Sequence, residues 1–152
     1  LLIETRLPST AMTIPDYLLT AYLSTNYCVD LPQGRVLLRI GERAPALDAI
    51  LEAHEQEQWA FVTAHNPGSR PDAPGNADRH AELLSWVQAR GLPWFAARSV
   101  ADDGGWPEEE SLLIVGLAHE EARRLGRRFG QVAIVVGDFG GPALLLACDA
   151  AN

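Results

Sequence analysis

From Trp59 onward, short apolar runs and amphipathic stretches follow one another in a fixed order. Trp59 to His65, Trp94 to Val100, Ser111 to Leu117 and Gln131 to Gly137 read as strands. The stretches at 77–90 and 118–129 read as helices. In the first helix His80, Leu83, Leu84 and Val87 share one stripe, and Gly91 with Pro93 marks its end. In the second, Ala122, Leu125 and Phe129 face inward. Its acids Glu120 and Glu121 come early and its arginines 123, 124, 127 and 128 come late, which suits the helix dipole. Strand, helix, strand, strand, helix, strand is the split βαβ order of a ferredoxin-like fold. No GxGxxG is present, so a dinucleotide-binding α/β sheet is the weaker reading.

The preceding part adds to that core. Thr13 is placed to cap a first helix with Pro15 and Asp16 in its opening turn, and Leu18, Leu19 and Tyr22 as its apolar side. Tyr27 to Leu31 and Arg35 to Glu42 read as a hairpin about Pro32-Gln33-Gly34. In the second arm Val36, Leu38 and Ile40 alternate with Arg35 and Arg39, the period of an antiparallel strand with one wet face. Pro45 opens a helix through Gln56, and Ala143 to Ala147 forms a last edge strand. The expected fold is therefore α+β: a mostly antiparallel sheet with a βαββαβ ferredoxin-like core, preceded by a helix, a β-hairpin and a further helix. Residues 13–152 form a single domain. Met12 is the sole methionine, so residues 1–12 are read as a disordered or non-native extension.

Charge and residue usage narrow the chemistry. A net charge of −8 argues against general nucleic-acid binding. All twelve basic residues are arginine, which removes Schiff-base and P-loop lysine chemistry. No apolar run approaches the ~18 residues that span a bilayer, so no membrane partner is expected. Cys28 and Cys148 form no CxxC pattern and read as reduced core thiols of a cytoplasmic protein. No ligand spacing for a metal is present, and no cofactor is specified.

Polar side chains with directional bonding are densest between Phe61 and Arg79. His65-Asn66-Pro67-Gly68-Ser69-Arg70 ends a strand in a fixed turn, and Asn76 is an N-cap type for the next helix. The expected topology puts the end of the 59–65 strand, the start of the 111–117 strand and Gln131 at one end of the sheet. Arg70 and Arg79 would hold an anion by bidentate bonds near a helix N-terminus. Asn66, Ser69, Asn76 and Gln131 would add neutral hydrogen bonds, and Trp106 a stacking surface. Glu110, with Glu109 as the second choice, is the candidate general base. His65 is a weaker one.

These segments also carry a resemblance. Asn66-Pro67-Gly68-Ser69-Arg70, Asn76 and Arg79, Trp106 with Glu110-Ser111, and Phe129-Gly130-Gln131 resemble a bacterial family of uncharacterised proteins, domain of unknown function family 3293. Ile14-Pro15 and Tyr22 fit as well, so the resemblance runs from Ile14 to Ala147. It implies where a site lies but supplies no activity. Two departures stand out. The residue before Asn-Pro varies in that family, and Trp106 is followed by one residue more than usual before the motif glutamate.

Three functions follow as alternatives. The first is a small domain binding an anionic or nucleotide-like ligand, or a partner segment, at the sheet end. The second is a small hydrolase or transferase acting on a phosphorylated or nucleotide substrate with a glutamate base. The third is a purely structural Arg–Glu–Asn network, in which a salt bridge between Arg79 and Glu110 locks the loop. A concave pocket holding a carboxylate of raised pKa separates the second from the third.

Overall fold

The computed structural model describes residues 14–148. The expectations for residues 1–12 and for Thr13 lie outside them. Among the described residues are four α-helices and seven strands. In chain order they are α1 (Asp16–Leu23), β1 (Thr25–Leu31), β2 (Gly34–Leu38), α2 (Pro45–Ala53), β3 (Gln58–Thr63), α3 (Ala73–Ala89), β4 (Trp94–Ala101), β5 (Glu109–Val115), α4 (His119–Arg128), β6 (Ala133–Asp138) and β7 (Leu144–Ala147). The fold is α+β.

The strands form one sheet in the order β2-β1-β4-β5-β3-β6-β7, and every neighbouring pair is antiparallel. The sheet curls. The segment after β2 meets the segment before β7 through bridges Ile40–Ala143 and Arg43–Pro142. Gly41 N–H donates to the Ala143 carbonyl at 2.8 Å, and Ala143 N–H to the Glu42 carbonyl at 3.0 Å.

Strand alternation divides the core between the two faces. Ala60, Val62, Leu112, Ile114, Ile134 and Val136 face α3 and α4, against Leu83, Val87, Ala122 and Leu125. Trp59, Phe61, Leu113, Val115 and Val135 face the other way, against Leu47, Ile50 and Leu51 of α2. Gly137 belongs to this second layer. A Cβ there would collide with the Trp59 ring, so the bare backbone makes room for a tryptophan that is 1% exposed.

Several boundaries differ from the sequence reading, and two of them shape the site. α3 begins at Ala73, not Ala77, with Pro74 in its first turn, where no N–H is needed. Asp72 takes the N-cap position, and Asn76 lies inside the helix. β5 begins at Glu109 rather than Ser111, so Glu109 and Glu110 are strand residues pointing to opposite faces. β3 stops at Thr63, because Asn66 adopts a left-handed conformation, φ 50° and ψ 62°.

The pairing fixes strand direction. The ends of β3 and β4 and the starts of β1, β5 and β6 lie at one end of the sheet. Asn66, Glu109 and Gln131, distant in sequence, therefore come together.

Candidate functional site

The loop after β3 is built on backbone that few residues tolerate. Three non-glycine residues among those described have positive φ, and two of them, Asn66 and Ser69, are in this loop, at 50° and 63°. Gly68 between them has φ 68°. Asparagine adopts this region more readily than most residues, but the geometry still carries strain, which collects at functional sites.

Asn66 is 4% exposed and bonds in four directions. Its N–H donates to Asn76 Oδ1 at 2.9 Å, and Asn76 Nδ2 returns a bond to Asn66 Oδ1 at 3.0 Å. Asp72 N–H also donates to Asn66 Oδ1, at 2.9 Å. Asn66 Nδ2 donates to Glu109 Oε2 at 2.8 Å. The side chain thus ties the loop, the first turn of α3 and the start of β5 together.

Arg79 holds the same turn from below. Its Nε donates to the Ala64 carbonyl at 3.0 Å, its Nη1 to Asp72 Oδ2 at 3.0 Å, and its Nη2 to Asn76 Oδ1 at 2.6 Å. The ion pair that locks the loop is Arg79–Asp72. Glu110, the expected partner, instead sits 3.4 Å from His80 on the α3 side of the sheet. A third support comes from the motif before β6. Gly68 N–H donates to the Gly130 carbonyl at 2.7 Å, and Gly130 itself has φ +72°. A Cβ on Gly130 would stand 2.8 Å from Pro67 Cβ, so this position needs glycine for both conformation and space. Gln131 Nε2 donates to the His65 carbonyl at 2.9 Å.

This framework borders a cavity of about 320 Å³ between α1 and the sheet end. The volume lies at the lower end of the ~300–1,000 Å³ typical of small-molecule sites. Its floor is Tyr27, Phe61, Ala133 and Val135, and α1 supplies one wall through Leu18, Ala21 and Tyr22. Asn66, Ser69, Trp106, Glu109 and Gln131 border it. Arg70, which is exposed, and Arg79 are not among the lining residues, and neither are Asn76 and Glu110. Seven ligand-contacting residues were expected from the sequence. Four of them, Asn66, Ser69, Trp106 and Gln131, reach the cavity. Asn76 and Arg79 form the loop's support.

Glu109 is the ionisable group at the centre. Its Oε2 accepts from Asn66 Nδ2 and, at 3.0 Å, from Trp106 Nε1. Among the described residues no donor bonds Oε1. Burial pushes the carboxyl above its ordinary 4.5, while the Trp106 and Asn66 hydrogen bonds work in the opposite direction. No guanidinium contributes to that balance. Two phenols accompany it. Tyr27 donates to the Tyr22 carbonyl at 3.0 Å and packs edge-on against Phe61, with ring centroids 5.1 Å apart. Burial raises both phenol pKa values, and for Tyr22 hydrogen bonding from Ser69 and the Ala133 backbone partly offsets this.

His65 belongs to the opposite face. Its ring stands edge-on to His80 at 6.2 Å between centroids. Burial and the neighbouring His80 lower its pKa. The sequence reading missed Tyr22, in its role as a cavity wall, and Tyr27, which it took as the start of an ordinary strand. No local motif marks either one. Among the described residues, no group of three or more His, Cys, Asp or Glu is placed to hold a metal ion.

The fold and this cavity define an α+β unit with a mostly apolar, partly aromatic pocket, bordered by polar side chains, at one end of an antiparallel sheet. Residues 62–134 match the family described as protein of unknown function (DUF3293). No curated protein and no solved structure matches the chain. The matched span is narrower than the Ile14 to Ala147 resemblance. It contains Asn66, Ser69, Trp106, Glu109 and Gln131, whereas Tyr22, Tyr27 and all of α1 lie before it. No helix of the described residues is long and apolar enough to cross a membrane.

Proposed function

We propose that this chain is a small-molecule-binding domain whose ligand occupies the cavity beside α1, with Glu109 as an acid–base group acting on it. One observation carries the reading. Glu109 lines a cavity, is half-buried without a cationic partner among the described residues, and has one oxygen fixed by two donors while the other has none. A carboxyl of raised proton affinity in that position is suited to give or take a proton. This favours a hydrolase or transferase over a passive binding module. An anionic or nucleotide-like ligand, suggested by Arg70 and Arg79, has less support, because neither arginine lines the cavity.

The same proposal includes a ferredoxin-like core. The order β4-β5-β3-β6, with α3 and α4 packed on one face, supports that architecture. The two buried cysteines, which form no disulfide, suit a reducing bacterial cytoplasm.

A thermal-shift screen with nucleosides, sugar phosphates, organic amines and divalent metals tests the binding reading. At least one compound class should raise the melting temperature of the full chain. A cavity-filling Ala101→Trp variant should fold and lose that shift. If no compound shifts the wild type while Asn66→Ala melts far lower, the network is structural only.

A further inference from the structure

The cavity lining carries charge of one sign. Its ionisable side chains are the carboxylates Glu109 and Asp103 and the phenols Tyr17, Tyr22 and Tyr27, with no Arg, Lys or His among them. Rings of Tyr22, Tyr27, Phe61 and Trp106 also line it, and the chain as a whole carries −8. Glu109 is half-buried, and a carboxylate drawn partly out of water gains from a cationic partner, because two neutral donors do not fully replace the hydration it loses. Glu109 has only the two neutral donors, Asn66 and Trp106. Aromatic faces around a carboxylate attract organic cations, because the ring quadrupole and the carboxylate act with the same sign.

We infer that the ligand of this cavity is an organic cation with a flat apolar body, an aryl amine or amidine, whose charged nitrogen bonds Glu109 while its body lies among Tyr22, Tyr27, Phe61 and Trp106. This rests on the reading of the cavity as a small-molecule site and specifies its ligand. Phosphorylated and carboxylated compounds are excluded from the lining by charge. The free Oε1 of Glu109 accepts from the cation, and Trp106 and Asn66 keep Oε2 in place.

Three probes of one shape test the charge requirement: benzamidine (cation), benzamide (neutral) and benzoate (anion), each titrated into the full chain by calorimetry. Benzamidine should bind at least tenfold more tightly than benzamide, with no heat from benzoate. Glu109→Gln should erase that preference and keep a cooperative melt. Phe61→Leu should weaken all binding without reversing the order of the probes. Equal or tighter binding of benzamide or benzoate overturns the charge class and leaves the cavity reading standing. Benzamidine binding that survives Glu109→Gln unchanged also overturns it, because the cation is then held elsewhere. If none of the three binds, both readings fall.

Discussion

The Asn66 side-chain amide donates to Glu109 Oε2 at 2.8 Å, so a residue held at φ 50° positions the cavity's half-buried carboxylate. Loop strain and acid placement are therefore one feature. Asn66→Ala removes the three bonds of the side chain and leaves their part-buried partners on Glu109, Asp72 and Asn76 short of a partner. It should destabilise the protein by about 3 kcal/mol in a denaturant melt. A loss near the ~0.5 kcal/mol of an ordinary surface change would show that the network is slack.

Glu109 gives stability an unusual pH trend. Its folded pKa lies above the ordinary 4.5, so the unfolded state ionises it more readily. Its protonated form adds nothing unfavourable below 4.5. Its ionised form lowers stability once pH has risen through the folded value. Glu109→Gln should therefore melt higher than the wild type at neutral pH, and the gap should close as pH falls below 4.5. A gap of constant size across that range would mean that the carboxylate is not the cause.

Arg79 and Arg70 should separate cleanly. Arg79→Ala strips bonds from Ala64, Asp72 and Asn76, and should cost about 2 kcal/mol of stability. Arg70→Ala, at an exposed side chain, should fall within about 0.5 kcal/mol of the wild type. Thermal melts of the two variants decide this. Equal losses would contradict the assignment of the loop's support to Arg79.

His65 titrates in the opposite sense to Glu109. Burial, His80 and Arg79 hold its folded pKa below 6.5, and Glu110 on the same face opposes them. The neutral ring is the stable form, so its contribution is present above 6.5 and is lost as pH falls from there through the folded value. Proton NMR should place its midpoint below 6.5, and His80→Ala should move it upward. A midpoint above 6.5 would contradict the neutral, half-buried ring.

Long periodic segments were legible in the sequence because each buries a continuous face. Leu83 and Val87 on α3, and Ile134 and Val136 on β6, follow directly from the pattern. The convergence of Asn66, Glu109 and Gln131 followed from strand order alone. The choice of glutamate did not. Reading β5 from Ser111 left Glu109 and Glu110 in a turn, where nothing distinguishes them. Starting the strand two residues earlier sends one into the cavity and the other to His80. Arg79 was recognised as a possible lock, but Asp72 could not be identified as its partner before the helix start was known. Tyr22 and Tyr27 have no local signature, because the wall they form exists only once α1 folds over β1.

The bridge between residues 40–43 and 142–143 also dictates when this protein finishes folding during synthesis. β3, near the middle of the sheet, pairs only with strands that come later in the chain, β5 and β6. β1 waits for β4 on its far side. The curl closes only when Ala143 has left the ribosome, long after its partner Ile40. Until then the nascent chain carries open strand edges, and its dependence on distant pairings predicts slow, late and cooperative completion.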